Sequence, residues 1–246
     1  MKNILIDFTY YQAGSSFHGG GEYGNVILEE LLKEPVQTNC GIFFLKGKRV
    51  NKKLIEGCID KGWNIHSGCD VRNVSGIVRQ YKYTTIYSAL PYANSWGKVR
   101  LPSNIKFIGT FHGLRNLELA NCEDSETEFF NGNHENNNSD YIYETNNKKK
   151  KMKWYQIYEN NLLAFKNGKI IVVSEHTKHS IYYYFPALRN ADIEVLYSPP
   201  KLIYSKVLQN TDEILKGYGL LFRNFGLIVS ADIWYKNALR AVYAYD

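Results

Sequence analysis

The sequence predicts an α/β protein with a doubly wound, mostly parallel, Rossmann-like sheet, followed by the truncated start of a second Rossmann-like domain. Segments that are apolar throughout alternate with amphipathic helical segments along the first 200 residues. Such strands are typical of a parallel sheet that helices cover on both faces. A strand, a polar loop and the first turns of a helix recur at 225–246, where the chain stops. We therefore expect residues 1–200 to form one complete domain, and residues 201–246 to form a linker and the beginning of another.

The strands are predicted from short apolar runs bounded by turn residues. The first run directly follows Met1 and Lys2, and the clearest one is Lys169–Val173. In chain order, the predicted strands are 3–8, 42–45, 84–90, 105–111, 169–173 and 193–197, with a further one at 225–230 in the second domain.

The helices are predicted from apolar residues that recur three or four positions apart. The first helix is followed by Pro35, which cannot continue it. The predicted helices are 22–33 with Tyr23, Val26, Ile27 and Leu31 on one face, a short one with Leu54, Ile55, Cys58 and Ile59 on one side, 71–81, 154–165 and 175–185.

Two segments interrupt this alternation. Residues 121–147 are rich in Asn, Asp and Glu and have no periodicity, so we expect a solvated, mobile insertion within the first domain. Pro199 and Pro200 end the last strand of that domain, and we place the domain boundary there.

Composition restricts the classes of protein to which this chain can belong. The chain is 44% hydrophobic and 22% charged, which is enough apolar material for a sizeable core. It contains no apolar run of about 20 residues and no signal peptide, so we expect no membrane span. Four scattered cysteines without C-x-x-C spacing indicate reduced thiols and a cytoplasmic location.

The net charge of +6 is dominated by one local run, Lys148–Lys151, rather than by an even basic surface, so nucleic acid is not an expected partner. This run precedes the predicted helix 154–165, and lysines at a helix start oppose the macrodipole. It is therefore either a solvated charge run or a contact with the anionic inner face of the membrane, which gains about 1 kcal/mol per lysine.

Ligands of parallel sheets bind beyond the carboxyl ends of the strands, which directs attention to residues 9–21, 88–97, 112–118 and 174–178. Gly19–Gly21 precede the first predicted helix, so their backbone can approach a ligand and the helix N–H groups favour a phosphate. The spacing is not G-x-G-x-x-G, which argues against a nicotinamide or flavin cofactor. The alternative is an ordinary flexible turn.

His112 ends the strand 105–111 at this same edge. A histidine there can donate to a sugar hydroxyl or transfer a proton, although a hydrogen-bonded structural histidine is the alternative. Gly113 leaves room for a ligand beside it, whereas Arg115 and Glu118 are one helical turn apart and can pair with each other.

Ser174 follows the strand 169–173, where capping of the next helix is the expected role. His176 and His179 lie three positions apart on that helix without an evident third ligand, so no metal site is expected.

In their order along the chain, four segments resemble those of the group 1 retaining glycosyltransferases of GT-B fold. The segments are Gly19–Gly21 with Glu22, Ile108–Arg115, Ile171–Lys178 and Leu227–Asn237. The resemblance implies a retaining hexosyltransferase with two facing Rossmann-like domains, which takes a nucleotide-diphospho-sugar as donor and a glycan or lipid-linked acceptor, as in the synthesis of cell-surface polysaccharides.

The resemblance also implies roles for individual residues. His112 would be catalytic, through a hydrogen bond to the transferred sugar, while Gly20, Gly21 and Lys236 would contact the donor diphosphate. No cofactor or metal would be required, because basic side chains and helix ends stabilise the leaving group. The residues that would line the cleft or contact the acceptor are Glu22, Gly113, Arg115 and Ser174.

The chain departs from the family pattern in two places. Ala231–Ile233 stand where the family often has an arginine before the lysine, and the family's pair of glutamates eight positions apart in the second domain is absent. Glu22 and Glu30 have that spacing but lie in the first predicted helix. We therefore expect this chain to be inactive alone. A non-catalytic Rossmann-like module that binds an anion or a protein is the alternative, and an unrelated nucleotide-binding enzyme such as an epimerase is less favoured.

Overall fold

The computed structural model describes most of the first predicted domain and a small part of the second. The described residues are 3–12, 19–35, 39–91, 96–118, 139–165, 168–198, 211–221 and 243.

Seven parallel strands form one sheet in the order β3-β2-β1-β4-β5-β6-β7. This order runs outward in both directions from the β1–β4 pair, as in Rossmann-like folds, and places the topological switch point between those two strands. The prediction of a doubly wound parallel α/β sheet is thereby confirmed. The strands are β1 Ile4–Asp7, β2 Cys40–Phe44, β3 Asn64–Ser67, β4 Thr85–Ser88, β5 Lys106–Phe111, β6 Lys169–Val172 and β7 Ile193–Val195.

Helices lie between the strands along the chain, and a further one follows the last strand. The α-helices are α1 Gly19–Lys33, α2 Lys52–Asp60, α3 Val74–Tyr81, α4 Arg115–Glu118, α5 Ser139–Ala164, α6 Glu175–Tyr184 and α7 Thr211–Gly217. Short 3-10 turns occupy Thr9–Gln12, Val71–Asn73, Trp96–Lys98 and Pro186–Leu188.

Neighbouring residues of a strand point to opposite faces of the sheet, and here both faces are buried. Leu5 and Phe43 belong to one apolar cluster, whereas Ile6 and Ile42 belong to the other. The first cluster includes Val78 of α3, Leu162 of α5 and Ile181 of α6; the second includes Leu28 of α1 with Leu54 and Cys58 of α2. Helices thus cover the sheet on two sides.

The structure differs from the sequence-based expectation at one strand and three helix starts, those of α1, α3 and α5. Strand β3 was not predicted, because Asn64–Ser67 lacks a continuous apolar run and forms an edge of the sheet. Helix α1 begins at Gly19 rather than at residue 22, and the predicted helix 71–81 opens with a 3-10 turn before α3.

Helix α5 begins at Ser139, so the last nine residues of the predicted mobile insertion, 139–147, are helical, and that part of the prediction is wrong. The backbone of Lys148–Lys151 consequently lies inside the helix rather than at its start. The macrodipole acts mainly within the terminal turn, so it gives no reason for the placement of these lysines. Their side chains, and residues 121–138, lie outside the described part.

Contacts between Cα atoms divide the chain into two compact units, 1–118 with 144–199 and 119–143 with 200–246. The second unit contains α7, whose first turn carries Asp212 and Glu213 and whose last turn carries Lys216, the charge order that a helix macrodipole favours. The predicted strand 225–230 lies outside the described residues. No helix within the described ranges is long and apolar enough to cross a bilayer.

One buried histidine at the edge of the sheet makes the stability of the protein depend on pH. The Nε2 of His66 in β3 lies 2.9 Å from the Tyr83 hydroxyl, and its ring meets that of Tyr81 edge to face at 4.5 Å. Burial lowers the pKa of His66 from its ordinary value of 6.5. As the pH falls, the imidazole of His66 is therefore protonated in the unfolded chain at a higher pH than in the folded chain. The free energy of unfolding consequently decreases as the pH drops below 6.5.

We expect His66→Gln to remove this part of the pH dependence. At pH ~8 the variant should be less stable than the wild type by about 1–2 kcal/mol, because it disturbs a buried hydrogen bond and ring packing. The difference should shrink toward pH ~5, because protonation of His66 lowers the free energy of unfolding of the wild type and the variant has no imidazole at this position. Urea unfolding of both proteins at the two pH values measures this, and a difference that does not change with pH would contradict it.

Candidate functional site

A buried 3-10 turn follows β1 at the carboxyl edge of the sheet. All four residues of Thr9–Gln12 are buried. The Gln12 side chain donates through Nε2 to the Leu45 carbonyl at 3.0 Å, and its Oε1 accepts from the Leu45 N–H at 2.8 Å. This two-point hydrogen bond fixes the turn to the end of β2.

Helix α1 is seated on that turn through a glycine. A Cβ atom placed on Gly24 would lie 2.4 Å from Cε2 of Tyr10, whose side chain is 1% exposed. Tyr10 in turn meets Phe8 edge to face, with ring centroids 5.2 Å apart. The close approach of α1 to the sheet therefore requires a residue without a side chain at Gly24.

The three glycines Gly19–Gly21 form the first turn of α1, so the interpretation of them as a flexible turn before the helix is wrong. The first three residues of α1 therefore have no side chains, which allows close approach to its backbone. Gly20 is half-buried and Gly21 is buried, while Glu22 is half-buried beside them. The Glu22 carboxylate stabilises the positive helix end and reduces its attraction for an anion.

His112 lies directly after β5, where two other elements meet it. Its Nε2 is 3.0 Å from the Ala89 carbonyl oxygen, and since a carbonyl can only accept, Nε2 is the donor. The Tyr23 ring of α1 packs edge to face on the imidazole, with ring centroids 4.9 Å apart. The structure thus brings His112 to within one helical turn of the glycines at the start of α1.

Hydroxyl groups lie on the same face of the sheet below His112. The Tyr87 hydroxyl of β4 is 3.2 Å from the Thr110 hydroxyl of β5. Burial raises the pKa of Tyr87 well above its usual range, with Tyr23 as the next contributor. These side chains are therefore neutral donors and acceptors at physiological pH.

Gly113 has φ +149°, a conformation that favours glycine, and nothing lies within 4 Å of the place where a Cβ would be. There is open space beside His112, as predicted from the sequence. Arg115 is exposed at the start of α4. Glu118 at the end of α4 accepts a hydrogen bond from the Ser180 hydroxyl and lies 3.3 Å from Nε2 of His176.

Ser174 is the N-cap of α6, and its Oγ accepts from the Thr177 N–H at 3.2 Å. The predicted capping role is confirmed, while the proposed contact with an acceptor stays a prediction. In the described part of the chain, no three His, Cys, Asp or Glu side chains are grouped as metal ligands. Lys236 lies outside the described residues.

Sequence reasoning missed a buried carboxylate, Asp7, at the switch point of the sheet. Its Oδ1 accepts from the Thr9 N–H at 2.9 Å and from the Thr9 hydroxyl. Its Oδ2 accepts from the Ser88 hydroxyl at 2.7 Å and from the Trp96 indole Nε1 at 3.3 Å. Burial raises the pKa of Asp7, and these hydrogen bonds oppose that rise. The available signal was an acidic residue inside the apolar run 4–8.

Asp7, Thr9, Ser88 and Trp96 are each at most 2% exposed. The position between the ends of β1 and β4, where open α/β sheets usually bind ligands, is therefore filled by side chains of the protein itself. The described residues with space and exposed polar groups lie one strand further along, at the end of β5 and the start of α1. The positions that the sequence rule selected at this edge thus include both closed and open ones.

The sheet order and the arrangement at its carboxyl edge define a Rossmann-like α/β protein. Comparison of the chain with protein-family models, with curated proteins and with solved structures finds no match.

We expect Gly24→Ala to destabilise the protein by about 1–3 kcal/mol, because the methyl group overlaps a buried ring that has nowhere to move. Gly19→Ala is the matched control in the same helix, since nothing lies within 4 Å of its Cβ position. The control should be neutral or stabilising by up to about 1 kcal/mol. Urea unfolding at neutral pH compares the two, and equal effects would show that Tyr10 does not hold α1 as described.

Gly113→Ala separates backbone strain from steric space. The substitution should cost about 1–3 kcal/mol although the space is open, because φ +149° is unfavourable for alanine. Gly76→Ala in α3 also has nothing within 4 Å and should instead stabilise by about 0.5–1 kcal/mol. Thermal or urea unfolding of both variants provides the measurement, and a neutral Gly113→Ala would count against a fixed backbone at this site.

Proposed function

We propose that the sheet-containing unit is the acceptor-binding lobe of a retaining glycosyltransferase of GT-B fold, which transfers a hexose from a nucleotide-diphospho-sugar. The observation that carries the proposal is the position of His112. It is held by the Ala89 carbonyl at 3.0 Å and by the Tyr23 ring at 4.9 Å, at the open end of β5 and beside the glycine-rich start of α1. The four segments that resemble the family support the same assignment.

In this proposal, the imidazole of His112 contacts the hydroxyl groups of the transferred sugar close to the reacting carbon. Gly20 and Gly21 allow the donor diphosphate to approach the backbone of α1, where N–H groups stabilise negative charge as the leaving group departs. The acceptor lies along Glu22, Gly113, Arg115 and Ser174, the residues that the family resemblance assigns to the cleft.

The half-buried side chains of the described site suit the sugar part of the donor. The His112 imidazole and the Glu22 carboxylate are both groups that form hydrogen bonds with hydroxyls. We propose that the nucleotide is held mainly by the second lobe of the enzyme, and that no metal ion takes part.

We expect His112→Ala to lower the rate of sugar transfer by about 100-fold or more, because it removes a group that acts in the transition state. The assay uses a protein containing both lobes, with a panel of uridine and guanosine diphospho-hexoses. His179→Ala, which changes an exposed histidine of α6, is the control and should keep the wild-type rate.

Circular dichroism and urea unfolding establish that both variants are folded before their rates are compared. A wild-type rate in folded His112→Ala would remove His112 from the site. If no diphospho-hexose is turned over but the chain binds inorganic phosphate or a protein, the alternative of a non-catalytic module is favoured.

A further inference from the structure

The buried carboxylate of Asp7 is connected to the candidate site through the end of β4. Asp7 and Ser88 are register partners in the β1–β4 pair, and the Ser88 hydroxyl donates to Asp7 Oδ2 at 2.7 Å. The next residue, Ala89, provides the carbonyl that accepts from His112 Nε2 at 3.0 Å. Two hydrogen bonds and one peptide unit therefore separate Asp7 from the imidazole.

The four hydrogen-bond donors around Asp7 require a carboxylate and exclude the amide of asparagine. A carboxylate has about four acceptor positions on its two oxygens, and each oxygen of Asp7 receives two hydrogen bonds. On Oδ1 one donor is a backbone N–H, and on Oδ2 one donor is the indole N–H of Trp96; neither can reverse its direction. An asparagine amide would point its NH₂ group at one of these N–H groups in either orientation.

Trp96 extends the connection to a helix. Its indole ring packs between Phe43 and Phe107, with centroid distances of 6.1 Å and 4.4 Å. Its backbone N–H donates to Asn161 Oδ1 of α5 at 3.0 Å, and Asn161 Nδ2 donates to the Ile157 carbonyl at 2.9 Å. The residues on both sides of the loop after β4 are thus anchored, at Ser88 by Asp7 and at Trp96 by Asp7 and α5.

We propose that Asp7 is a positioning residue, which fixes the Ser88–Ala89 segment so that the Ala89 carbonyl holds the His112 imidazole with its proton on Nε2. The use of this orientation in sugar transfer rests on the proposed function above. The positioning itself is a property of the protein without substrate, and it is measured separately.

The experiment determines the ratio of the two neutral tautomers of His112 by ¹⁵N NMR of the full chain, labelled at histidine, at pH ~8.5 where ordinary imidazoles are neutral. The spectrum of His112→Gln assigns the resonances. The variants are Asp7→Asn and the milder Ser88→Ala, which removes one donor and keeps the charge. Val78→Ala in α3, at a side chain 1% exposed and in the same apolar cluster as Trp96, is the control for lost stability.

In the wild type we expect the form with the proton on Nε2 to predominate. Its ratio to the other tautomer should fall about two- to tenfold in both Asp7→Asn and Ser88→Ala, the range for loss of a net hydrogen bond. Val78→Ala should keep the wild-type ratio although it is also less stable. If Asp7→Asn does not fold, Ser88→Ala decides the outcome.

A merely structural role for Asp7 predicts a different pattern. Asp7→Asn and Ser88→Ala would then lower the free energy of unfolding, as Val78→Ala does, and leave the tautomer ratio of His112 unchanged. That result would overturn the positioning role. Because no substrate is present, absence of sugar transfer by the protein would not change either outcome.

Discussion

The hydrogen bonding of the Asp7 carboxylate is the constraint on which the carboxyl edge of the sheet depends. Burying a carboxylate is costly unless its acceptor positions are filled, and here neutral donors from Thr9, Ser88 and Trp96 fill them. An apolar side chain would remove the cost of the charge but leave two N–H donors unpaired. The carboxylate therefore determines how the turn after β1, the end of β4 and the buried indole are arranged.

A second consequence of this arrangement is the displacement of the open site. In a Rossmann-like sheet the crevice at the switch point is the usual place for a ligand, but here buried side chains occupy it. Space remains at Gly113, next to His112 and the first turn of α1. The groups that are at least partly exposed there are the His112 imidazole, the carboxylate of Glu22 and the guanidinium of Arg115.

The sequence was sufficient for the parts of the fold that local pattern determines. Six of the seven strands follow from mainly apolar runs, because a strand covered on both faces has few polar positions to interrupt the run. Strand β3 is an edge with a polar Asn64 and Ser67, and its pattern resembles that of a loop. The start of α1 was placed too late because glycine has low helix propensity, although Gly19–Gly21 are helical here.

The candidate site could be predicted only in part. His112 and Gly113 were found because the end of a predicted central strand is a recognisable place. The contacts of Asp7 with Ser88 and Trp96 join residues 81 and 89 positions apart, and no local pattern reports such pairs. Tyr23 was recognised as a packing residue of α1, but its contact with the imidazole depends on how the helix crosses the sheet.

Two backbone segments near the candidate site are fixed by different means. Displacing the turn after β1 would break both hydrogen bonds between Gln12 and Leu45, so the turn can move only together with the sheet. Gly113 has open surroundings and a backbone angle that only glycine adopts easily. The opening beside His112 is therefore kept by the backbone conformation itself, because any residue with a side chain at position 113 is under strain even where the side chain fits the space.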